Sequence, residues 1–349
     1  MPRQVLFNVQ LLRFLAAAAI LFTHAASLVI PNSPVVNDVP WVGGVDIFFV
    51  ISGFIMTWMT RGQFGSRPAA GKFLLRRVVR VVPPYWFFTL GTVVIVIVAG
   101  GRIQHTTADP LIVLTSLGFL PWPRADGQLV PILAQGWTLS YEAFFYLAFA
   151  ACMLVRRGLL ILVVFFILLA GLHQAIPERW FVASYFTHPI ILEFAAGIFL
   201  GRLYLSGFRL GLGSTLAMIA VAVLAYVAMP LPGNDFDRLL QLGVPAGLIA
   251  AALILGPEPR RTGPILRALK AGGDASYTLY LSHRLTVGAV LIACGAVGLA
   301  NPVLLIAVAI AAAIVFGLAF YGVVEAPFIA TLGKRLGARV SEGPATVAP

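Results

Sequence analysis

Charge is the scarcest ingredient of this 349-residue chain. Asp, Glu, Lys and Arg together make up 11% of it, against about 25% in an ordinary soluble domain. With 60% apolar residues it cannot clothe the surface of a water-soluble globule. Disorder is excluded by the same figures, because disordered chains are charged and poor in aromatics. Cysteine is nearly missing: Cys152 and Cys294 are the two present, which rules out a disulfide-stapled secreted module. Short segments of strict apolar alternation are lacking, which argues against a β-barrel. No zinc-type His/Cys or His/Glu spacing appears, and no phosphate-cradling glycine loop. The 34 glycines are scattered.

Long apolar runs are what the chain does have, and they point to an all-α polytopic integral membrane protein. Ten runs have the roughly 17–25 residues needed to cross a bilayer core. They cover 9–30, 41–60, 82–100, 136–155, 159–176, 188–206, 213–229, 239–256, 275–296 and 302–327. The formal charge of +11 would suggest nucleic acid in a soluble protein, but its distribution gives another reading. With the N-terminus cytoplasmic, Arg3, Arg61, Arg67, Lys72, Arg76, Arg77, Arg80, Arg156 and Arg157 fall inside. So do Arg202, Arg209, Arg260, Arg261, Arg267, Lys270, Lys334, Arg335 and Arg339. The outer loops hold Arg102, Arg124, Arg179 and Arg238, while Arg13 and Arg284 lie within spans. By the positive-inside rule both termini are expected in the cytoplasm. The charge is then topology, and no nucleic-acid partner is expected.

The first run is longer than a typical signal-peptide core and contains His24, so a retained helix is expected. Cys152 and Cys294 fall on opposite sides of the membrane and should not pair. The stretch 111–120 is too short to span and reads as re-entrant or interfacial. The domain reading is one transmembrane domain over 1–330 and a short flexible cytoplasmic tail over 331–349. No internal repeat is visible, which weighs against transporter folds built from duplicated halves.

Ionisable groups inside a bilayer are costly, and those retained usually face an interior or a water-filled cavity. Arg13 and His24 are eleven residues apart in the first span, close to three helical turns, so they share one face about 16 Å apart. Counted inward from the outer ends, His24, Asp46, Glu142 and Glu193 fall at similar depth on four spans. A shared polar pocket is expected from this, with separate interhelical hydrogen bonds as the bland alternative. A carboxylate beside a His would orient the ring and stabilise the imidazolium. Arg76, Arg77 and Arg80, in the segment before the third span, read either as a phosphate clamp or as generic positive-inside charge. In the ninth span, Tyr280, Ser282, His283 and Arg284 bring polarity into an apolar helix. His283 is expected nearer the inner face than His24, lining the same channel or making a structural hydrogen bond. Glu325 is expected to pair with a nearby Arg. His105, His173 and His188 read as surface residues.

Five segments, in order and on the expected spans, resemble the membrane-bound acyltransferase family three, whose members O-acylate extracytoplasmic polysaccharides. They are Arg13 with His24; Gly44-Val-Asp46-Ile-Phe-Phe-Val-Ile-Ser52-Gly-Phe; Arg76-Arg77-Val-Val-Arg80-Val-Val-Pro83; Trp137-Thr-Leu-Ser140-Tyr-Glu142; and Tyr280-Leu-Ser-His283. The likeness runs from the first span to Glu325 and is greatest to the exopolysaccharide-production branch. It departs at Val-Glu325-Ala-Pro-Phe, where the family more often has a basic residue after the Glu.

The resemblance implies acyl transfer, with acetyl the expected group, from cytoplasmic acyl-CoA to a hydroxyl of an extracytoplasmic or lipid-linked polysaccharide. The implied location is the inner membrane of a bacterium. Acyl-CoA would be a co-substrate and no cofactor would be resident. Membrane lipid and polysaccharide-synthesis machinery are further expected partners. Arg13, Arg76, Arg77 and Arg80 would hold the donor phosphates. His24, assisted by Glu142 or Asp46, would deprotonate the acceptor or carry the acyl group itself, and both routes stay open. Ser52, Trp137, Glu193, Tyr280 and His283 are further pocket candidates, with Ser52 or backbone N–H groups at the oxyanion. Two rivals are a proton-coupled transporter or flippase of a lipid-linked sugar and a scaffold whose polar residues hold helices together.

Overall fold

A computed structural model describes residues 6–34, 43–99, 102–103, 106–177, 179–228, 233–259 and 263–337. Arg3, His105, Arg260, Arg261, Arg339 and the side chain of Arg102 lie outside the described residues. The described residues are mostly helical, and the strand structure among them is a two-residue ladder in which Arg102–Ile103 pairs antiparallel with Thr106–Thr107. Each of the ten expected runs coincides with helix. Among the described residues seven helices are long and apolar enough to cross a membrane, and Gly44–Met59 and Leu212–Ala228 are shorter apolar helices. This is a multi-pass membrane protein.

The helices are α1 (Phe7–Val29), α2 (Gly44–Met59), α3 (Arg67–Val98), α4 (Pro110–Leu117), α5 (Trp137–Cys152), α6 (Gly158–Leu172) and α7 (Phe181–Thr187). They continue with α8 (Leu192–Leu205), α9 (Leu212–Ala228), α10 (Asp235–Leu255), α11 (Pro264–Asp274), α12 (Ser276–Ala296), α13 (Pro302–Phe320) and α14 (Ala326–Arg335). They form two compact units. Among the described residues, one comprises the chain to Met59 with Glu193–Ala326, and the other comprises Thr60–Leu192 with Pro327–Gly337.

In the first unit α1 is the central helix. Its Val9, Leu12 and Ala16 pack with Ile47, Val50, Phe54 and Trp58 of α2 and with Ala246, Ala250 and Ile254 of α10. Its Ala17, Leu21 and Ala25 pack with Leu279 and Val287 of α12 and with Ala309 and Ala313 of α13. The small residues let neighbouring helices approach, since apolar lipid supplies no hydrophobic drive and van der Waals packing must hold the bundle. The α2 and α8 backbones approach closely. A Cβ built on Gly53 would lie 2.1 Å from the Phe194 carbonyl oxygen, and one on Gly197 2.1 Å from that of Val50. Gly197 and Gly201 form the Gly-x-x-x-Gly spacing that brings helix backbones together. The ends of α1 and α10 satisfy each other. The Asn8 amide donates to Leu253 O at 2.9 Å and Pro257 O at 3.1 Å, while Glu258 accepts the Phe7 N–H at 3.3 Å.

Three helices begin where the sequence reading placed a loop or a span. Ser66 caps α3 by accepting the Ala69 N–H, and Pro68 stands in the first turn. The helix therefore starts at Arg67 and carries Pro83 and Pro84 within it. Arg76, Arg77 and Arg80 thus sit on helix, not in a loop. Asn234 caps α10 by accepting the N–H groups of Phe236 and Asp237, so this helix starts at Asp235 rather than at 239. The run 188–206 is interrupted: α7 ends at Thr187, a 3₁₀ turn covers Pro189–Ile191, and α8 starts at Leu192. At the far end α13 passes through a π-helical turn, Tyr321–Glu325, into α14. The tail expected from residue 331 is helical to Arg335.

In the second unit the stretch expected to be re-entrant or interfacial forms α4. The Tyr85 hydroxyl of α3 donates to Ser116 O at 2.9 Å and the Trp86 indole N–H to Leu117 O at 3.0 Å. Cys152 and Cys294 are free thiols.

Candidate active site

The polar residues inside the helices gather into two groups in the first unit and one in the second. The first is an imidazole pair in the first unit. His24 on α1 and His283 on α12 approach with Nδ1 of His24 3.2 Å from Nε2 of His283 and ring centroids 4.9 Å apart. His24 Nδ1 also lies 3.0 Å from Ile20 O, and His283 Nδ1 lies 2.6 Å from Tyr280 O. Tyr280 stands beside the pair, 5.9 Å from the His283 ring and 6.0 Å from Phe48 of α2. The Arg284 guanidinium is within electrostatic reach of both imidazoles. The structure thus brings His283 against His24, not to a shallower level towards the inner face. A ring of this kind, oriented by a neighbour, is the arrangement that proton abstraction from a hydroxyl requires.

Asp46 does not touch His24. It is fully buried in the first turn of α2 and is held by Arg238, with Nη1 2.9 Å from Oδ1 and Nη2 donating to Oδ2 at 3.1 Å. Glu193, buried in the first turn of α8, lies 3.6 Å from the same Nη1. The assignment of Asp46 as the acid beside the imidazole is therefore corrected. Its partner is a guanidinium, which Glu193 shares, so that neither buried carboxyl group is without a polar neighbour. Arg238 escaped the sequence reading because that reading began the span one residue after it. The signal was present in Asn234, whose capping side chain four residues earlier draws Arg238 into the helix. Next to Arg238 the helix makes a π turn, Leu239–Gly243, and a Cβ on Gly243 would crowd Glu193 Oε1 at 2.8 Å. Such π turns recur at functional sites.

The third group lies in the second unit. On α3, Phe73, Arg77 and Arg80 follow a three- and four-residue spacing that puts them on one face. Arg76 is four residues before Arg80 and lies within the same arc. Arg77 is buried and its guanidinium stands 6.0 Å over the Tyr146 ring of α5, a cation–π contact. Phe73 stacks on Phe149 one turn further along α5. Glu142 hydrogen-bonds the Tyr146 hydroxyl four residues on, and Arg77 and Arg80 are within electrostatic reach of that hydroxyl. Glu142 is thereby tied to the arginines. Among the described residues the buried Nε of Arg76 has no hydrogen-bond partner.

The remaining expected residues have separate surroundings. Arg13 is buried on α1 and donates to Gln10 Oε1 at 3.1 Å. Ser52 is buried on α2. Trp137 opens α5, and its carbonyl accepts the Tyr185 hydroxyl at 2.7 Å. Glu325, turned inward by the π turn, accepts a hydrogen bond from the Thr278 hydroxyl. His173 and His188 are half-buried, not ordinary surface residues. Their rings are 5.6 Å apart, His173 bonds the Thr187 hydroxyl at 3.2 Å, and His188 caps Ile190. They border the stacked pair Tyr141 and Tyr185, whose centroids are 4.4 Å apart.

Residues 6–322 match the family profile described as "Acyltransferase domain". The chain is 33% identical to the exopolysaccharide production protein ExoZ of Rhizobium meliloti (strain 1021) over 300 residues, 82% of this chain and 89% of that protein. It is 26% identical to the acyltransferase MdmB of Streptomyces mycarofaciens over 345 residues, 86% of this chain and 84% of that protein. No solved structure matches it.

Proposed function

This chain belongs to the acyltransferase-domain family, and from that premise we propose a membrane O-acyltransferase acting on a polysaccharide. The donor is acyl-CoA, with acetyl the transferred group, presented from the cytoplasmic side of a bacterial inner membrane. The acceptor is a hydroxyl of an extracytoplasmic or lipid-linked polysaccharide, a reading supported by the likeness to the exopolysaccharide production protein ExoZ. Both chain termini are cytoplasmic in this reading, as the distribution of basic residues implies.

The observation that carries the proposal is the ring of His24, placed within an apolar helix and against a second imidazole at 3.2 Å. In the reaction a polysaccharide O–H gives its proton to His24. The oxygen attacks the thioester carbon, the C–S bond breaks, and the departing thiolate takes the proton from the imidazolium. An ester and free CoA result, with His24 neutral again. General acid–base assistance of this kind contributes about 10²–10⁴-fold.

The donor is polyanionic, and Arg76, Arg77 and Arg80 offer three guanidiniums along one arc of α3. Guanidinium pairs phosphate through two parallel hydrogen bonds. Glu142 holds this group in shape through Tyr146. Arg13, buried on α1, is a further donor-binding residue in this proposal. Asp46 and Glu193 act through Arg238, fixing α2, which carries Phe48 and Ser52, beside α8.

The test is transfer by the purified protein in lipid vesicles given acyl-labelled acyl-CoA and a lipid-linked glycan. The proposal expects label bound covalently to the glycan. Movement of glycan across the bilayer without any labelled glycan would establish the transporter instead.

A further inference from the structure

Three further features bear on chemistry: the Arg238 ion cluster, the His173–His188 pair with its tyrosines, and the hydrogen-bond order around His24. The last is carried furthest, because carbonyl oxygens can only accept. His283 Nδ1 faces Tyr280 O at 2.6 Å, so Nδ1 bears the hydrogen and donates it. His24 Nδ1 faces Ile20 O at 3.0 Å, so this nitrogen too bears the hydrogen. In a neutral imidazole the other nitrogen is then a bare acceptor. His283 Nε2, 3.2 Å from His24 Nδ1, therefore offers its lone pair to that N–H, which is shared with Ile20 O. The opposite order, with His283 donating from Nε2, would set lone pairs of both rings against two carbonyl oxygens.

We infer that His283 is a positioning residue for His24, in a relay running from Tyr280 O through His283 to His24, and that His24 reacts through Nε2. This rests on the proposed acyl transfer to a hydroxyl. Among the described residues no side chain or backbone group bonds His24 Nε2, and with Nδ1 engaged it is the atom left to take the acceptor proton. Once it does, the imidazolium N–H at Nδ1 donates to His283 Nε2 and Ile20 O, and hydrogen bonds from a charged donor are roughly twice as strong as neutral ones. A neutral imidazole thus does the work that a carboxylate does in a Ser-His-Asp triad: it holds the tautomer and orientation of the base. Proton and charge balance are complete, because the proton from the hydroxyl passes to Nε2 and on to the thiolate, and His283 keeps its own proton throughout.

Two measurements decide it. The first uses the full-length protein in lipid, labelled with ¹⁵N-histidine; the chain has five histidines, and the His24 signals are those lost in His24→Gln. An Nδ1 of protonated type and an Nε2 of bare type are expected for His24, and the reverse order would overturn the inference whatever any variant does. The second compares His283→Leu, which keeps bulk but cannot accept, with His283→Gln, whose side-chain oxygen can. Turnover is expected to fall about 10²–10³-fold in the leucine variant, with KM for acyl-CoA changed less than about threefold, and to recover at least tenfold in the glutamine variant. Wild-type turnover in His283→Leu, with His24→Ala inactive, would overturn the role of His283 and leave the acyltransferase reading standing. Full transfer by His24→Ala would instead overturn the reading itself.

Discussion

A single methyl group on Gly53 tests whether α2 and α8 are as close as described. The built Cβ would lie 2.1 Å from the Phe194 carbonyl oxygen and 3.0 Å from the Gly197 Cα, where ordinary contact begins at 3.4 Å. The obstacle is backbone on a helix, so no side chain can swing aside, and the helices must part by more than about 1 Å. Overpacking of this kind costs about 1–3 kcal/mol, and the rigid obstacle puts Gly53→Ala at the upper end. Alanine recovers about 0.5–1 kcal/mol of backbone entropy in a helix, leaving a net loss of about 2 kcal/mol. The separation also draws Glu193, at the start of α8, away from Arg238. Gly91→Ala in α3 is the control, since nothing lies within 4 Å of its built Cβ. It should be neutral or stabilised by up to about 1 kcal/mol. Unfolding in mixed micelles, followed by helical circular dichroism, gives both values. Adding Gly197→Ala to Gly53→Ala should cost less than it does alone, because the helices have already parted. Equal stability of the Gly53 and Gly91 variants would refute the close crossing.

Arg238→Leu strands two buried carboxylates and should destabilise the protein by about 3–5 kcal/mol in the same titration; adding Asp46→Asn and Glu193→Gln should restore most of that loss. Neutralising Arg76 and Arg80 together should raise KM for acyl-CoA at least tenfold with a smaller effect on kcat, measured as initial rates in vesicles; an unchanged KM would remove the phosphate assignment. Asn8→Ala leaves the carbonyls of Leu253 and Pro257 without their donor and should cost about 1–3 kcal/mol of stability.

Much of this was legible in residue order. Apolar run length located the helices, because a bilayer fixes how many residues a crossing needs. The positions of Arg13, His24 and the late Tyr280–His283 pattern marked helices α1 and α12. What periodicity could not show was partnership. Similar depth put His24, Asp46, Glu142 and Glu193 together on paper, but depth leaves the helix neighbours undetermined. The structure gives His24 to His283, Asp46 and Glu193 to Arg238, and Glu142 to Tyr146 beside the arginines. Boundaries failed where capping outran hydropathy. Ser66 and Asn234 start α3 and α10 upstream of their apolar runs, and this brought both Arg76–Arg80 and Arg238 onto helix. The half-buried His173 and His188 were missed because their burial comes from Thr187 and the stacked tyrosines, distant in sequence from His173.

In the proposed mechanism the His24 imidazole carries the transfer. Its most direct measurement is single-turnover formation of labelled glycan by wild type and His24→Ala, both reconstituted at saturating acyl-CoA and shown to be folded by equal unfolding midpoints. The account predicts at least a 10²-fold slower ester formation in the variant; rates within twofold of one another would contradict it.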